Sequence, residues 1–131
     1  MRRLHLLIGI LTLLAFLITG QIMRHHDPPL STLSEATRLL YRSRHIYILA
    51  AGLVNLMLGI YFQPAFPGWR RIVQTVGSAL VILAPVLLIL GFATEPHTGL
   101  PLDQGWASLG LYSLFAGSLL QVVAFNRKPV L

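Results

Sequence analysis

The chain contains no cysteine, and only 11% of its residues are charged. The first absence removes disulfides, iron–sulfur ligation, thiolate zinc sites and thiol catalysis together. The second argues against an ordinary soluble surface, which carries about 25% charged residues. Acids are scarcest of all: Asp27, Glu35, Glu95 and Asp103 complete the set of four. What fills the 131 residues instead is apolar, with 55% hydrophobic side chains and a mean hydropathy of +0.72. Lipid can solvate such a surface and water cannot. The length suits one domain covering residues 1–131.

A spanning helix needs about 20 apolar residues to cross about 30 Å of hydrocarbon. Four stretches meet or nearly meet that need, at about 4–23, 46–62, 72–93 and 106–125. Their flanks are charged or helix-breaking: Arg2, Arg3 and Arg24 around the first, Arg44 and Pro64 around the second, Arg70, Arg71 and Glu95 around the third, Asp103 and Arg127 around the fourth. No acidic or basic residue is expected inside the cores, apart from His5 near an end. In hydrocarbon each backbone group must pair within its own segment, which selects helix. The runs lack the alternation of a barrel strand. The expectation is an all-α, four-helix transmembrane bundle, up-down-up-down. The second run is short, and a backward helical extension through Arg38 to Arg44 would let arginines snorkel to the headgroups. The first run lacks an A-x-A exit and is longer than a usual signal core, so it reads as a retained span.

The net charge of +6 would suggest nucleic acid in a soluble protein. Here the arginines sit at span ends, which reads as membrane anchoring and no nucleic-acid partner. Arg2, Arg3, Arg70, Arg71, Arg127 and Lys128 fall on one side; Arg24, Arg38, Arg42 and Arg44 fall on the other with all four acids. The bias favours both termini in the cytoplasm, with loops 24–45 and 94–105 outside.

The first loop is the long one. Prolines forbid helix across His25-His26-Asp27-Pro28-Pro29. Beyond them Thr32 and Glu35 offer a capping box, and Ser34 to Tyr41 reads as a short interfacial helix leading into the second span. Small residues recur at helical spacing, with Ala51, Asn55 and Gly59 on one face and Gly110, Ser113 and Gly117 on another. Such faces let helix backbones approach in lipid. Asn55 lies near mid-membrane and needs a partner on another helix. Pro85 should kink the third span or free a carbonyl.

Five histidines carry most of the reactive chemistry. His25, His26, His45 and His97 gather on the outer face, and His5 lies alone on the inner. The ordinary reading is that imidazole tolerates the half-wet interface. The sharper one is axial ligation of a haem b by His45 and His97 on adjacent spans, with Arg42 and Arg44 pairing to the propionates. The inner end of the fourth span offers Gln121 and Asn126 rather than a histidine to face His5, so a second haem is not expected. His25 and His26 are candidate metal contacts, lacking a carboxylate or third fixed imidazole.

Two segments carry a resemblance. Arg2-Arg3-Leu4-His5, eleven apolar or small residues, then Leu17-Ile18-Thr19-Gly20, resembles the opening helix of bacterial membrane-bound b-type cytochromes. Ser43-Arg44-His45 followed by Gly52 is similar to that family's second helix. The resemblance covers the first half of the chain. It implies four helices, haem, a bacterial inner membrane, and ligand roles for His5, His45 and His97. The fourth-helix ligand has no counterpart.

Other classes find less. A proton-coupled exporter needs an acid at membrane depth, and none is expected within the spans. Ser31, Ser34 and Ser43 near histidines set up no nucleophile, base and orienter. The leading expectation is therefore a non-catalytic accessory, structural or assembly subunit of a membrane complex. A b-type haem electron carrier using His45 and His97 is the alternative.

Overall fold

The computed structural model describes residues 1–65, 67–98 and 105–125. Four helices follow one another up and down: α1 Arg2–Arg24, α2 Glu35–Tyr61, α3 Trp69–Thr98 and α4 Trp106–Ala124. All four are long and apolar enough to cross a membrane, and the fold is a four-helix membrane bundle. We call the end where α1 starts the near end, and the opposite end the far end.

α1 and α4 match the apolar runs closely. α2 and α3 are longer than theirs. The helix expected from Ser34 to Tyr41 is present and runs without a break into the second span. Its cap is not the Thr32–Glu35 box. Ser34 is the N-cap, and its hydroxyl oxygen accepts from the Thr37 amide at 3.2 Å, while Thr32 Oγ1 donates to the Pro29 carbonyl in the preceding 3-10 turn, Leu30–Thr32. α3 continues past 93 to Thr98, through Glu95 and Pro96. At 1.5 Å per residue, its 30 residues span about 45 Å. That exceeds the hydrocarbon by about 15 Å, so its end turns reach headgroup depth.

α2 and α3 form the centre, with α1 laid on α2 and α4 on α3. The shared core runs through Ile48, Ala51, Val81, Ala84, Leu88, Phe92 and Leu114. Both small-residue faces are buried as expected. Between α3 and α4 the backbones approach closely at Gly77 and Gly117. A methyl group on Gly117 would stand 2.7 Å from the Gly77 carbonyl oxygen, so only a residue without Cβ fits. Large apolar residues face outward along every helix, as Leu17, Ile72, Phe115 and Val122 do. In water that surface would be an aggregation liability; in a bilayer it is the solvated side.

Pro85 lies inside α3 and supplies no amide to the carbonyl four residues back, that of Val81. Asn55 fills the gap from α2. Its Nδ2 donates to Val81 O at 3.1 Å and to Ala51 O at 3.0 Å, and its Oδ1 lies 2.9 Å from His5 Nδ1. One buried amide thus joins α1, α2 and α3. Leaving a buried polar group unmade costs about 1–3 kcal/mol. Asn55→Ala should therefore lower stability by about 1–3 kcal/mol, read as the shift of a denaturant unfolding curve in detergent followed by helicity. The loss should be smaller in a Pro85→Ala background, where the residue 85 amide can satisfy Val81. An equal loss in both backgrounds would contradict this role.

Candidate functional site

The most polar buried region lies at the far end, where three helices meet on one carboxylate. Along α2, Tyr41, Arg44, Ile48, Ala51, Asn55 and Gly59 fall at steps of three and four, and all are buried. Along α3, Val81, Ala84, Leu88, Phe92 and Glu95 do the same. The last turns of these two stripes bring Arg44 against Glu95. Arg44 is 2% exposed and Glu95 0%. Arg44 Nε donates to Glu95 Oε2 at 2.6 Å. Nη2 lies 2.5 Å from the same oxygen, a close charge contact rather than an aligned hydrogen bond. Nη1 donates to Ser43 Oγ at 3.2 Å.

The second oxygen of Glu95 is used as well. Oε1 accepts the Ala107 amide at 2.7 Å, one of the N–H groups that the first turn of α4 leaves without an intrahelical partner. A carboxylate at a helix N-terminus also complements the macrodipole. Gly105 precedes that turn with φ +127°, a left-handed conformation, and a methyl group there would lie 2.5 Å from Oε1. Glycine answers both the backbone angle and the space.

One sequence expectation is extended here and one is corrected. No acidic or basic residue falls within 46–62 or 72–93, but the helices run beyond those bounds and bury Arg44 and Glu95, each neutralising the other while α4 supplies the remaining donor. The acid thus sits in the last turn of the third helix, engaged with a guanidinium and a backbone amide. Arg44 does not snorkel outward.

The candidate haem residues are engaged apart from one another. His45 faces α1: its Nδ1 is 2.9 Å from Thr19 Oγ1, and its ring stacks on Phe16 with centroids 4.1 Å apart. Thr19 Oγ1 donates to Phe16 O at 2.9 Å, so the imidazole N–H donates to Thr19. His97 is exposed on the last turn of α3, with its ring edge-on to Tyr41 at 6.3 Å. Arg42 is exposed, and Arg44 is held by Glu95. A haem between His45 and His97 would require His45 to leave Thr19 and Phe16, and Arg44 to leave Glu95. The residues as placed do not fit that group.

His5 is buried at the near end, where Nδ1–H donates to Asn55 Oδ1 and Nε2 has no hydrogen-bond partner among the described residues. Phe62 lies beside its ring, 5.9 Å between centroids. His25 and His26 do not converge on a metal. His25 Nδ1 donates to Gln21 O at 3.0 Å. His26 Nδ1 donates to Pro28 O at 2.7 Å, and its Nε2 lies 3.1 Å from Tyr41 Oη. Among the described residues, no group of three or more His, Asp or Glu is placed to hold a metal ion.

Glu95 is the residue that hydropathy missed. The signal was periodicity: one further turn of the α3 stripe beyond Phe92 falls on residue 95. Comparisons with protein-family models, curated proteins and solved structures found no match.

Removing one partner of a buried ion pair costs about 3–5 kcal/mol. Glu95→Ala, which also strips the cap from α4, should reach that range in detergent unfolding. Glu95→Gln keeps an oxygen for Ala107 and should lose less. Gly105→Ala should be destabilising too, through its left-handed φ and its clash with Oε1. Equal stability of Glu95→Ala and wild type would refute the bridge.

Proposed function

We propose that this chain is a non-catalytic accessory or assembly subunit of a larger membrane complex. One observation carries the reading: among the described residues most of the buried polar side chains tie helix to helix, while Thr12 bonds within α1 and Gln74 holds the loop before α3. Glu95 joins α2, α3 and α4. Asn55 joins α1, α2 and α3. Gln121 Nε2 on α4 donates to Gln74 O and Ser78 Oγ on α3, and Ser113 Oγ donates to Leu80 O. Polar chemistry aimed inward makes a fixed scaffold, and what such a scaffold offers others is its surface. α4 turns Tyr112, Phe115 and Val122 outward, a face suited to lipid or to a neighbouring helix.

The orientation proposed from the sequence gains support as well. Basic residues favour the cytoplasmic side when they flank the spans. Burial of Arg44 against Glu95 takes it out of the far-end flank and leaves Arg24, Arg38 and Arg42 there. The near end keeps Arg2, Arg3, Arg70 and Arg71. The setting proposed is a bacterial inner membrane with the near end cytoplasmic.

Native-gel analysis of mildly solubilised membranes tests the role. The chain should migrate in a particle well above its own 14.5 kDa plus detergent, and its deletion should lower the abundance of that particle. A chain that runs alone, with no complex lost on deletion, would overturn the proposal. Reporter fusions to the amino terminus and to the 25–33 loop check the orientation: a reporter that needs the cytoplasm should work at the terminus and fail in the loop.

A further inference from the structure

The near end holds four arginines, and the three described acids, Asp27, Glu35 and Glu95, all belong to the far end. Arg2 Nε donates to the Gly59 carbonyl at 3.2 Å. Arg70 sits over the Trp69 ring, 5.5 Å from its centroid. Arg71 is exposed and has no side-chain hydrogen bond or ion pair among the described residues. It borders a groove of about 690 Å³ at the start of α3, whose walls include Pro67, Trp69, Ile72 and Val76.

The groove is two-sided in chemistry. Its rim is cationic, and its floor is a run of exposed apolar side chains: Trp69 is 58% exposed, Ile72 67% and Val76 48%. α3 overruns the hydrocarbon, so its first turn lies at headgroup depth and the next turn enters the acyl region. Gly68 turns the chain there with φ +113°, and an added methyl would meet nothing within 4 Å. The turn thus leaves open space at Gly68, the residue before Trp69. A guanidinium forks onto phosphate oxygens, and an indole sits well at the membrane interface.

We propose that this groove binds an anionic phospholipid of the near-end leaflet, with its phosphate on Arg71 beside Arg70 and an acyl chain along Trp69, Ile72 and Val76. Charge complementarity selects the occupant: an amphiphile with a negative head meets both the rim and the floor, whereas a zwitterionic lipid cancels its own charge. This inference needs the bilayer and not the accessory role, so the loss of either leaves the other standing.

Native mass spectrometry of the full chain in mild detergent, titrated with phosphatidylglycerol and chain-matched phosphatidylcholine, tests it. The wild type should retain phosphatidylglycerol preferentially. Arg70→Gln with Arg71→Gln should weaken that retention about thirtyfold, the loss expected for two interfacial arginines. The Lys pair at the same positions should stay within about threefold, because the charge remains. Arg38→Gln with Arg42→Gln, at the far end, should change nothing. Equal retention of the two lipids, or an equal loss from the far-end pair, would overturn the proposal. Displacement of the lipid by millimolar inorganic phosphate would assign a free-phosphate site and overturn it too. A second readout leaves the groove intact. In Trp106→Phe, which keeps Trp69 as the sole indole, chain-brominated phosphatidylglycerol should quench fluorescence more than brominated phosphatidylcholine, and equal quenching would count against the site.

Discussion

The far end of the bundle depends on one carboxylate that has almost no water to rely on. Glu95 is fully buried, and an isolated charge there would be costly enough to neutralise or to unfold the helix end. The fold answers with a guanidinium from α2 on one oxygen and a backbone amide from α4 on the other. Several local features follow. Arg44 must be inside, so the buried stripe of α2 must continue past the start of its apolar run. α3 must stay helical past its apolar run as far as Glu95. Gly105 must take a left-handed turn to lay the first amides of α4 over the acid. A buried ion pair contributes little net stability, since desolvation offsets attraction. Its better-attested effect is to fix register, and here it fixes how three helices meet.

The near half of the bundle solves the same problem with neutral groups. Asn55 supplies what Pro85 cannot, and its oxygen accepts a hydrogen bond from the His5 imidazole. Interhelix hydrogen bonds of this kind contribute about 0.6 kcal/mol each on average in a membrane. Most of the cohesion must therefore come from close packing, which the glycines of α3 and α4 permit. Polar links decide which packing is chosen, and small residues decide how tight it is.

Hydropathy showed four helices, their order and two of their lengths, because α1 and α4 are bracketed by charge or by polar turns. It did not by itself show that α2 begins at Glu35, which the Ser34-to-Tyr41 pattern indicated, or that α3 reaches Thr98. A hydropathy window ends a helix at the first charged residue, whether that residue faces water or a partner. The helical stripe carried the missing information, since Arg44 continues the line of Ile48 and Asn55, and Glu95 that of Leu88 and Phe92. The small faces around Asn55 and Gly117 were legible from spacing alone. Convergence of the histidines was not. Whether His45 looks toward α1 or α3 depends on a rotation of about 100° per residue, and the one-residue offset from Arg44 sends the guanidinium to α3 and the imidazole to Thr19.

The pairing of Arg44 with Glu95 is best tested by a double-mutant cycle. Unfolding in detergent of Arg44→Met, Glu95→Gln and the double variant should show a favourable coupling of about 2 kcal/mol in the wild type, with the double variant more stable than the sum of the two losses predicts. Losses that add to within about 0.5 kcal/mol would show that the two side chains do not hold each other.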